Sequence, residues 1–459
     1  MPALDQVLAH IDATRDESLR GLMELLRIPS VSTKPEHAAD CRRCAEWLAG
    51  MLRQGGVTAT VEPTGGHPIV LARTAAKPGR PTVLVYGHYD VQPTEPDDLW
   101  TTPPFEPAIR EGALYARGAA DDKGQVWAHV RAAAAWNQVA GDAPVNLIFL
   151  IEGEEEIGSE HLATFVRARR EELKADIAVI SDTNQFARGL PAITYGLRGL
   201  VYMEVLITGP SHDLHSGLYG GAVPNPANVL AELLATLHDA QGRVNLPAFY
   251  DDVLALTPEE RTMWAGLPFS DAEFARDLGL PFLTGEAGYS TIERKWARPT
   301  CDINGLTAGY QGHGAKTVIG AKASAKVSMR LVPDQDPAKI ADAFEQALRD
   351  RCPKNVKIEF ARHGLSAPVL VPIDSPATRL AAAATEIGFG RAPIFMREGG
   401  SIPVVGLFKS TLAIDTLLVG FGLPDDRVHS PNEKFDLDAL HAGTRTAAAL
   451  YEELAKLRT

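Results

Sequence analysis

Cysteine is scarce in this chain of 459 residues, which contains four: Cys41, Cys44, Cys301 and Cys352. So few cysteines cannot form a disulfide framework in a chain of this length. Cys41 and Cys44 have the spacing of a redox or zinc pair, but residues 45–49 continue the same predicted helix, and the sequence has no second close pair. We therefore expect no functional role for these thiols.

The chain also lacks an excess of basic residues and a long hydrophobic segment. Its 45 lysines and arginines are scattered and outnumbered by 58 aspartates and glutamates, for a formal net charge of −13. This charge argues against nucleic acid and anionic membranes as partners. No segment approaches the length that spans a bilayer, and residues 1–20 lack the apolar core of a signal peptide. A cytoplasmic location is the default expectation.

The remaining composition, 45% hydrophobic and 22% charged, is that of a globular protein, and 459 residues exceed what one hydrophobic core usually supports. Strands alternating with helices up to residue 194 predict a mostly parallel α/β sheet covered on both faces. From residue 195 to 368 the order changes to βαββαβ, which predicts an inserted α+β domain of ferredoxin-like fold. The α/β pattern resumes over 369–459, so the insert interrupts one α/β domain.

Within the α/β part, the strand predicted at 146–151 runs directly into four carboxylates: Glu152, Glu154, Glu155 and Glu156. Four like charges at the end of a buried strand are costly unless water or a cation stabilises them. The segment is therefore either a solvated acidic turn or part of a site for a divalent metal.

Other predicted strands of the α/β part also lead to a potential metal ligand. His88 and Asp182 end two strands, and His429 follows a third, predicted at 416–421. Because the carboxyl ends of parallel strands share one edge of a sheet, we expect these side chains to converge with the 152–156 acids. Two imidazoles with several carboxylates suit zinc, or manganese where carboxylates dominate.

Each of these residues also has a purely structural interpretation. His88 could be a hydrogen-bonded core histidine, and Asp121 or Asp122 could cap the helix that begins near Lys123. Asp182 could hold a turn, and His429 could lie in a surface loop. These interpretations leave unexplained why every one of these strand ends carries a ligand, so we favour a metal site.

Seven motifs stand out along the chain. Four are Gly87–Asp90, Arg117–Gly124, Glu155–Ser159 and His429–Lys434, and three more are Ile193–Gly199, Asp213–Gly221 and Arg397–Pro403. In the same order along the chain, the first four resemble motifs of the co-catalytic di-zinc exopeptidases of clan MH, and the last three look like those of its carnosinase and cytosolic nonspecific dipeptidase branch. The resemblance extends from about residue 81 to the C-terminus, although 247–299 carries no recognisable motif. It implies a catalytic domain over 1–194 and 369–459, with 195–368 as a lid and dimerisation domain.

The resemblance also implies two divalent ions per subunit, Zn²⁺ or Mn²⁺. Asp121 would bridge them. His88 and Asp182 would complete one site, and Glu156 and His429 the other. Two further residues would serve the ions without binding them: Asp90 would orient the His88 imidazole, and Glu155 would be the general base for a water held between the metals.

Substrate contacts are implied by the same resemblance. Arg330, Thr317 and Ser401 would hold the free C-terminal carboxylate of a dipeptide, since an arginine can grip a carboxylate with two hydrogen bonds. His215 would stabilise the oxyanion of the tetrahedral intermediate and would come from the partner subunit of a homodimer. Alternatively, Arg330 could decorate a solvent-facing strand, and 213–217 could be a glycine-rich turn.

The resemblance predicts a metal-dependent dipeptidase that cleaves dipeptides with a free C-terminal carboxylate. One alternative is an N-acyl or N-carbamoyl amino acid amidohydrolase of the same clan, which the Asp213–Gly221 and Arg397–Pro403 motifs disfavour. A second is a metal-binding protein that has lost catalysis. The presence of Glu155 disfavours it, because an inactive protein has no need of a base that binds no metal.

Overall fold

The structure, a computed structural model, describes residues 3–400 and 402–457. The chain divides into two compact units. Unit 1 contains the residues up to 195 together with 371–396 and the residues from 407 onward, and unit 2 contains 196–370 and 397–406. From the sequence, 397–406 was expected in the α/β domain. The segment belongs to unit 2 because the Arg397 guanidinium pairs with the Glu260 carboxylate there, and Arg198 Nε donates to the Gly399 carbonyl at 3.0 Å.

The first part of the chain alternates helices with strands. Its elements are α1 (Ala3–Ala13), α2 (Arg15–Leu26), α3 (Ala38–Gln54), β1 (Thr58–Glu62), β2 (Ile69–Arg73), β3 (Thr82–His88), β4 (Ala108–Arg110), β5 (Ala113–Tyr115), α4 (Lys123–Ala140), β6 (Asn146–Glu152), α5 (Leu162–Ala168), β7 (Ile177–Ile180) and β8 (Ala192–Leu197). Helices α1 and α2 follow each other with a single residue between them. The chain leaves helical geometry at Thr14, whose hydroxyl bonds back to the His10 carbonyl at 2.8 Å.

The middle of the chain forms most of unit 2. Its elements are β9 (Gly199–Thr208), β10 (Leu214–His215), α6 (Ser216–Tyr219), α7 (Pro226–Ala235), α8 (Pro258–Ala265), α9 (Asp271–Asp277), α10 (Thr291–Ala297), β11 (Thr300–Ala308), β12 (Val318–Ile319), β13 (Lys322–Leu331), α11 (Pro337–Arg351), β14 (Lys357–Ser366) and β15 (Val369–Leu370). The last part of the chain returns to unit 1. Its elements are α12 (Pro376–Phe389), β16 (Ile394–Glu398), α13 (Pro403–Leu407), β17 (Thr416–Leu418), β18 (Lys434–Asp436) and α14 (Leu437–Leu454).

The main sheet has the strand order β1-β2-β6-β3-β7-β17-β8-β15, with β16 beside β8. Its centre, from β6 to β17, is parallel, and the outer pairs β1-β2, β2-β6 and β8-β15 are antiparallel. The central strands are buried along nearly their whole length, as expected for a parallel sheet covered on both faces. The α/β class expected from the sequence is confirmed.

A helical layer buries one face of this sheet. Helix α4 is buried over most of its length and rich in alanine, which allows α1 and α14 to pack closely against it. Trp127 and Trp136 of α4 lie in the same core as Phe149 of β6 and Tyr451 of α14. Cys41 and Cys44 are also buried there, on α3, as free thiols.

Unit 2 contains a four-stranded antiparallel sheet with the order β11-β13-β9-β14. In chain order the elements β9-α7-β11-β13-α11-β14 give the βαββαβ arrangement, so the ferredoxin-like insert is confirmed. Every second side chain of β9 is buried, Val201 and Val205 among them, in one core with residues of α7 and α11. The segment 247–299, which carries no motif, contains helices α8 to α10.

Within residues 3–400 and 402–457, every helix is too short or too polar to span a lipid bilayer.

Candidate metal centre

The parallel centre of the main sheet places its potential ligands at one edge. His88 is the last residue of β3, and its neighbour in the β6 register is Glu152, at the start of the acidic turn that contains Glu156. Asp182 follows β7 by two residues, Asp121 precedes α4, and His429 lies between β17 and β18. Residues from five separate segments of unit 1 therefore meet beyond the carboxyl ends of the strands, where ligands bind in open α/β sheets.

Two groups of three potential ligands form there, and within each group the ligand atoms lie within 4.8 Å of one another. In the first, His88 Nε2 is 3.0 Å from Asp121 Oδ1 and 3.9 Å from Asp182 Oδ2. In the second, His429 Nε2 is 2.9 Å from Asp121 Oδ2 and 3.2 Å from Glu156 Oε2. Asp121 belongs to both groups and directs one carboxylate oxygen into each.

Imidazole nitrogens with carboxylate oxygens are a donor set that suits Zn²⁺ or Mn²⁺. One carboxylate shared by two groups is the arrangement that a pair of neighbouring ions requires. The residues present therefore fit two divalent cations.

The electrostatics of the cluster reflect crowded acids. Burial and the nearby Asp121 charge raise the pKa of Asp182 well above its ordinary value. Burial would also raise the pKa of Asp121, but hydrogen bonds from His429 and His88 hold it well below the usual range. The hydrogen bonds to Asp121 and Glu156 raise the pKa of His429 to about 10. The cluster therefore favours a positive charge among its carboxylates, and a bound divalent cation would supply that charge.

Asp90 is fully buried beside the first group and contacts both it and the acidic turn. Its Oδ1 is 3.4 Å from His88 Nδ1, which is also 3.1 Å from the Asp90 carbonyl oxygen. The same carboxylate accepts hydrogen bonds from the backbone N–H groups of Glu155, at 3.2 Å, and of Glu156, at 3.1 Å. Besides its predicted contact with the imidazole, Asp90 therefore fixes the turn that carries Glu155 and Glu156.

Glu155 is partly buried, and no other residue is recorded as a hydrogen-bond partner of its carboxylate among the described residues. Burial raises the pKa of Glu155 to about 7, aided by the charges of Glu156 and Asp121 and opposed by His88. A carboxylate in such a setting takes up and releases a proton near neutral pH, as a general base must.

Two contacts in the site were not expected from the sequence. Gln92 Nε2 donates to Glu156 Oε2 at 2.7 Å and so orients that carboxylate. Asp122 occupies the N-cap position of α4, yet its side chain makes no capping bond. Its Oδ2 instead accepts from the His88 backbone N–H at 3.2 Å, so the structural interpretation of Asp122 as a helix cap is wrong. The only signal for Gln92 is its position two residues after Asp90.

Three of the residues expected to contact substrate, His215, Thr317 and Arg330, lie in unit 2. His215 is exposed at the end of β10, opposite Val318 of β12, and its Nδ1 accepts from the Gly217 backbone N–H at 3.0 Å. Thr317 is next to it, because the Ser216 N–H donates to the Thr317 carbonyl at 3.0 Å. The structure therefore brings His215 and Thr317 together.

Arg330 is half-buried on β13, in register with Thr300 of β11 and Leu200 of β9. Burial lowers the pKa of Arg330, an effect that the nearby Asp302 charge opposes. Its side chain is therefore not a fully solvated surface decoration. Ser401 lies outside the described residues.

The fold and the paired donor groups define a metal-dependent hydrolase of the α/β class with an inserted ferredoxin-like domain. Residues 84–453 match the model of peptidase family M20/M25/M40. The chain is 34% identical over 476 residues to the Cys-Gly metallodipeptidase dug1 of Schizosaccharomyces pombe, covering 99% of both chains. The chain belongs to peptidase family M20/M25/M40, and it is a metallopeptidase.

Solved structures agree with this assignment. Human carnosine dipeptidase 1 superposes with a TM-score of 0.86 at 31% identity, covering 100% of both chains. An M20 family metallo-carboxypeptidase from Sulfolobus solfataricus gives a TM-score of 0.86 at 32% identity, over 96% of this chain and 100% of the other. The whole chain, including the insert, therefore has counterparts in this family.

Proposed function

We propose that this protein is a metal-dependent dipeptidase that hydrolyses dipeptides with a free C-terminal carboxylate. The observation that carries the proposal is the pair of donor groups sharing Asp121, with Glu155 beside them in the turn that Asp90 holds. The names of two relatives, a Cys-Gly metallodipeptidase and carnosine dipeptidase 1, support a dipeptide as the substrate.

His88, Asp121 and Asp182 would hold one ion, and Asp121, Glu156 and His429 the other. When bound, two divalent ions, Zn²⁺ or Mn²⁺, would polarise the substrate carbonyl and acidify water. Asp90 and Gln92 keep His88 and Glu156 in the orientation that this binding needs.

Glu155 would act as the general base. Its carboxylate takes a proton from the attacking water and then gives that proton to the departing amine nitrogen, so that the carboxylate is regenerated in each cycle. Its neighbour Glu156 serves as a ligand, and the two adjacent carboxylates hold different roles because their surroundings differ.

Four residues would recognise the substrate. Arg330, with Thr317 and Ser401, holds the free carboxylate, and His215 donates to the oxyanion that develops during attack. We assign His215 to the site of the partner subunit in a homodimer.

The homodimer draws support from strand β11, at one end of the unit 2 sheet. It exposes large apolar side chains, with Ile303 50% and Leu306 57% exposed, and Leu218 of α6 is 77% exposed. An edge strand with exposed apolar residues is suited to pair with a second chain. We expect the enzyme to work in the cytoplasm, and neither nucleic acid nor a membrane is a proposed partner.

The metallo-carboxypeptidase among the solved structures favours a second candidate, a carboxypeptidase acting on longer peptides. Both activities need a grip on the free C-terminal carboxylate, so peptide length distinguishes them. N-acyl and N-carbamoyl amino acids are the substrates that test for the alternative amidohydrolase activities.

The test measures hydrolysis of a dipeptide panel beside matched tripeptides and N-acetyl and N-carbamoyl amino acids, with and without added Mn²⁺ or Zn²⁺. We expect metal-dependent cleavage of dipeptides, loss of activity on chelation, and two divalent ions per chain by elemental analysis. Faster cleavage of tripeptides or of acylated amino acids would replace the proposal with the corresponding alternative. Active protein with one ion or none would remove the two-metal site.

A further inference from the structure

A buried carboxylate lies behind the candidate metal centre without belonging to either donor group. Glu433 is fully buried, and its carboxylate accepts four hydrogen bonds. Oε2 accepts from Arg117 Nη1 at 2.7 Å and from the Gly118 N–H at 3.0 Å. Oε1 accepts from the N–H groups of Ala120, at 3.0 Å, and Asp121, at 3.2 Å.

These four donors belong to one short loop, 117–121, which ends in the aspartate shared by both donor groups. Glu433 itself belongs to another loop, four residues after His429. The Glu433 carbonyl also accepts from the Ala116 N–H at 3.1 Å, and the next residue, Lys434, pairs with Tyr115 in a small sheet. The Glu433 side chain thus joins the loop that carries Asp121 to the loop that carries His429.

Removing a carboxylate from water is costly unless charge and hydrogen bonds replace the water. Here the Arg117 guanidinium supplies the charge and three backbone N–H groups supply the remaining donors. Because Glu433 accepts a hydrogen bond from the Asp121 N–H, the backbone of Asp121 is fixed, and its side chain is oriented by a fixed backbone rather than by a free loop.

We propose that Glu433 is a positioning residue that fixes Asp121 relative to His429, so that both donor groups of the metal centre form together. The inference rests on the proposed two-metal site and assigns Glu433 no contact with substrate or metal.

The hydrogen-bond pattern makes glutamine a sharp test of this role. Each carboxylate oxygen of Glu433 accepts from two donors, so a glutamine amide at this position, in either orientation, turns its NH₂ group toward two N–H donors. The substitution preserves the size of the side chain, but its NH₂ group faces two of the four N–H donors and cannot accept their hydrogen bonds. We expect Glu433→Gln to release the loop and weaken metal binding.

Asp426 provides a matched control in the same part of the chain. It is also fully buried, and its carboxylate accepts from the Leu423 N–H at 2.7 Å and from Lys434 Nζ at 2.9 Å. No recorded bond within the described residues joins Asp426 to loop 117–121. Asp426→Asn should therefore cost folding stability as any buried carboxylate substitution does, while leaving metal affinity unchanged.

The experiment removes the metal from each folded full-length variant and measures binding of Zn²⁺ and Co²⁺ by competition with a chromogenic chelator, without substrate. Loss of a residue that supports metal ligands commonly weakens metal binding about 10–100-fold. We expect a loss in this range for Glu433→Gln, a changed visible spectrum of its Co²⁺ form, and wild-type values for Asp426→Asn.

Wild-type affinity and spectrum in Glu433→Gln would overturn the inference, as would an equal loss in Asp426→Asn. If Glu433→Gln does not fold, Arg117→Gln removes one of the four donors to Glu433, the charge that compensates it and the bond to the Pro93 carbonyl, while the three backbone donors remain. A several-fold loss of affinity then supports the inference, and an unchanged affinity overturns it. Failure of the wild-type protein to bind two ions would instead refute the proposed function, so the two failures are distinguishable.

Discussion

His129 should make the protein less stable in mild acid. It lies in α4, only 1% exposed, with Nε2 2.8 Å from the Ser181 hydroxyl and Nδ1 3.1 Å from the Tyr451 hydroxyl. Burial lowers the pKa of His129 to about 3. Both polar partners are neutral hydroxyls, and Phe421 lies beside the ring, so the site favours the neutral imidazole.

Because the folded-state pKa of His129 is below that of the unfolded chain, about 6.5, the unfolded state binds the extra proton. The contribution of the neutral His129 imidazole to the free energy of unfolding is therefore fully present above pH 6.5 and is lost progressively as the pH falls toward 3. Between pH 7 and pH 5 the unfolded state gains most of a proton while the folded state gains almost none. The corresponding loss in the free energy of unfolding is about 2 kcal/mol.

The variant His129→Gln remains neutral at every pH and can still contact both hydroxyls. Urea unfolding at pH 7 and pH 5, followed by the fluorescence of the buried Trp127 and Trp136 of the same helix, should show a smaller acid loss in this variant by about 2 kcal/mol. Other titrating groups, including the metal ligands, affect both proteins alike and cancel in the difference. Equal acid losses in the two proteins would refute the reasoning.

Three further predictions concern the proposed chemistry. Glu155→Gln should retain metal but lose turnover by about 10²–10⁴-fold or more, measured as kcat on a dipeptide, whereas Glu156→Gln should lose metal occupancy in elemental analysis. If Arg330 binds the free carboxylate, kcat/KM for a C-terminally amidated dipeptide should fall by a factor equivalent to about 2–3 kcal/mol of transition-state stabilisation. If His215 serves the partner subunit, mixing inactive Glu155→Ala and His215→Ala dimers should restore about a quarter of wild-type activity, since half the dimers are mixed and each mixed dimer rebuilds one site of two.

Each of these predictions has a decisive contrary result. Metal loss in Glu155→Gln with retention in Glu156→Gln would exchange the two roles. Equal kcat/KM for amidated and free dipeptides would remove Arg330 from substrate binding. No recovery on mixing, with subunit exchange shown by differently tagged chains, would place His215 within its own subunit.

Much of unit 1 could be predicted because its central strands carry a strong signal. Strands β3 and β6 are continuous apolar runs, and the sheet rule then places the residues that follow them at one edge. The side chains of His88 and Asp182 do lie together there. The hairpin of β1 and β2 was missed, because β1 is only five residues long and mixes exposed and buried positions.

The helices of 247–299 were also missed, although the sequence holds a signal for them. Helix α8 begins with a capping box between Thr257 and Glu260, and α10 with one between Ser290 and Glu293. A serine or threonine followed three residues later by glutamate marks a helix start even where no hydrophobic period is clear.

The support of the site could not be predicted from sequence patterns. Gln92 contacts Glu156 across 64 residues of sequence, and Glu433 contacts Asp121 across 312. Such contacts depend on which side chains the completed fold brings face to face, and no local spacing encodes them. His88, Glu156 and Asp182 were recognisable because they follow strands closely, and Asp121 through the resemblance alone, whereas the groups that hold these ligands have no such regularity.

The position of β17 in the main sheet has a consequence for how the protein is made. This strand, Thr416–Leu418, lies between β7 and β8, both of which precede it by more than two hundred residues. A ribosome that has released everything up to residue 400 has therefore produced a sheet with a gap near its middle. The strands β9 to β14 of unit 2, by contrast, are complete by Ser366. During synthesis the edges of β7 and β8 that β17 will cover stay unpaired until nearly the whole chain has emerged, and unpaired strand edges are liable to misfolding and aggregation.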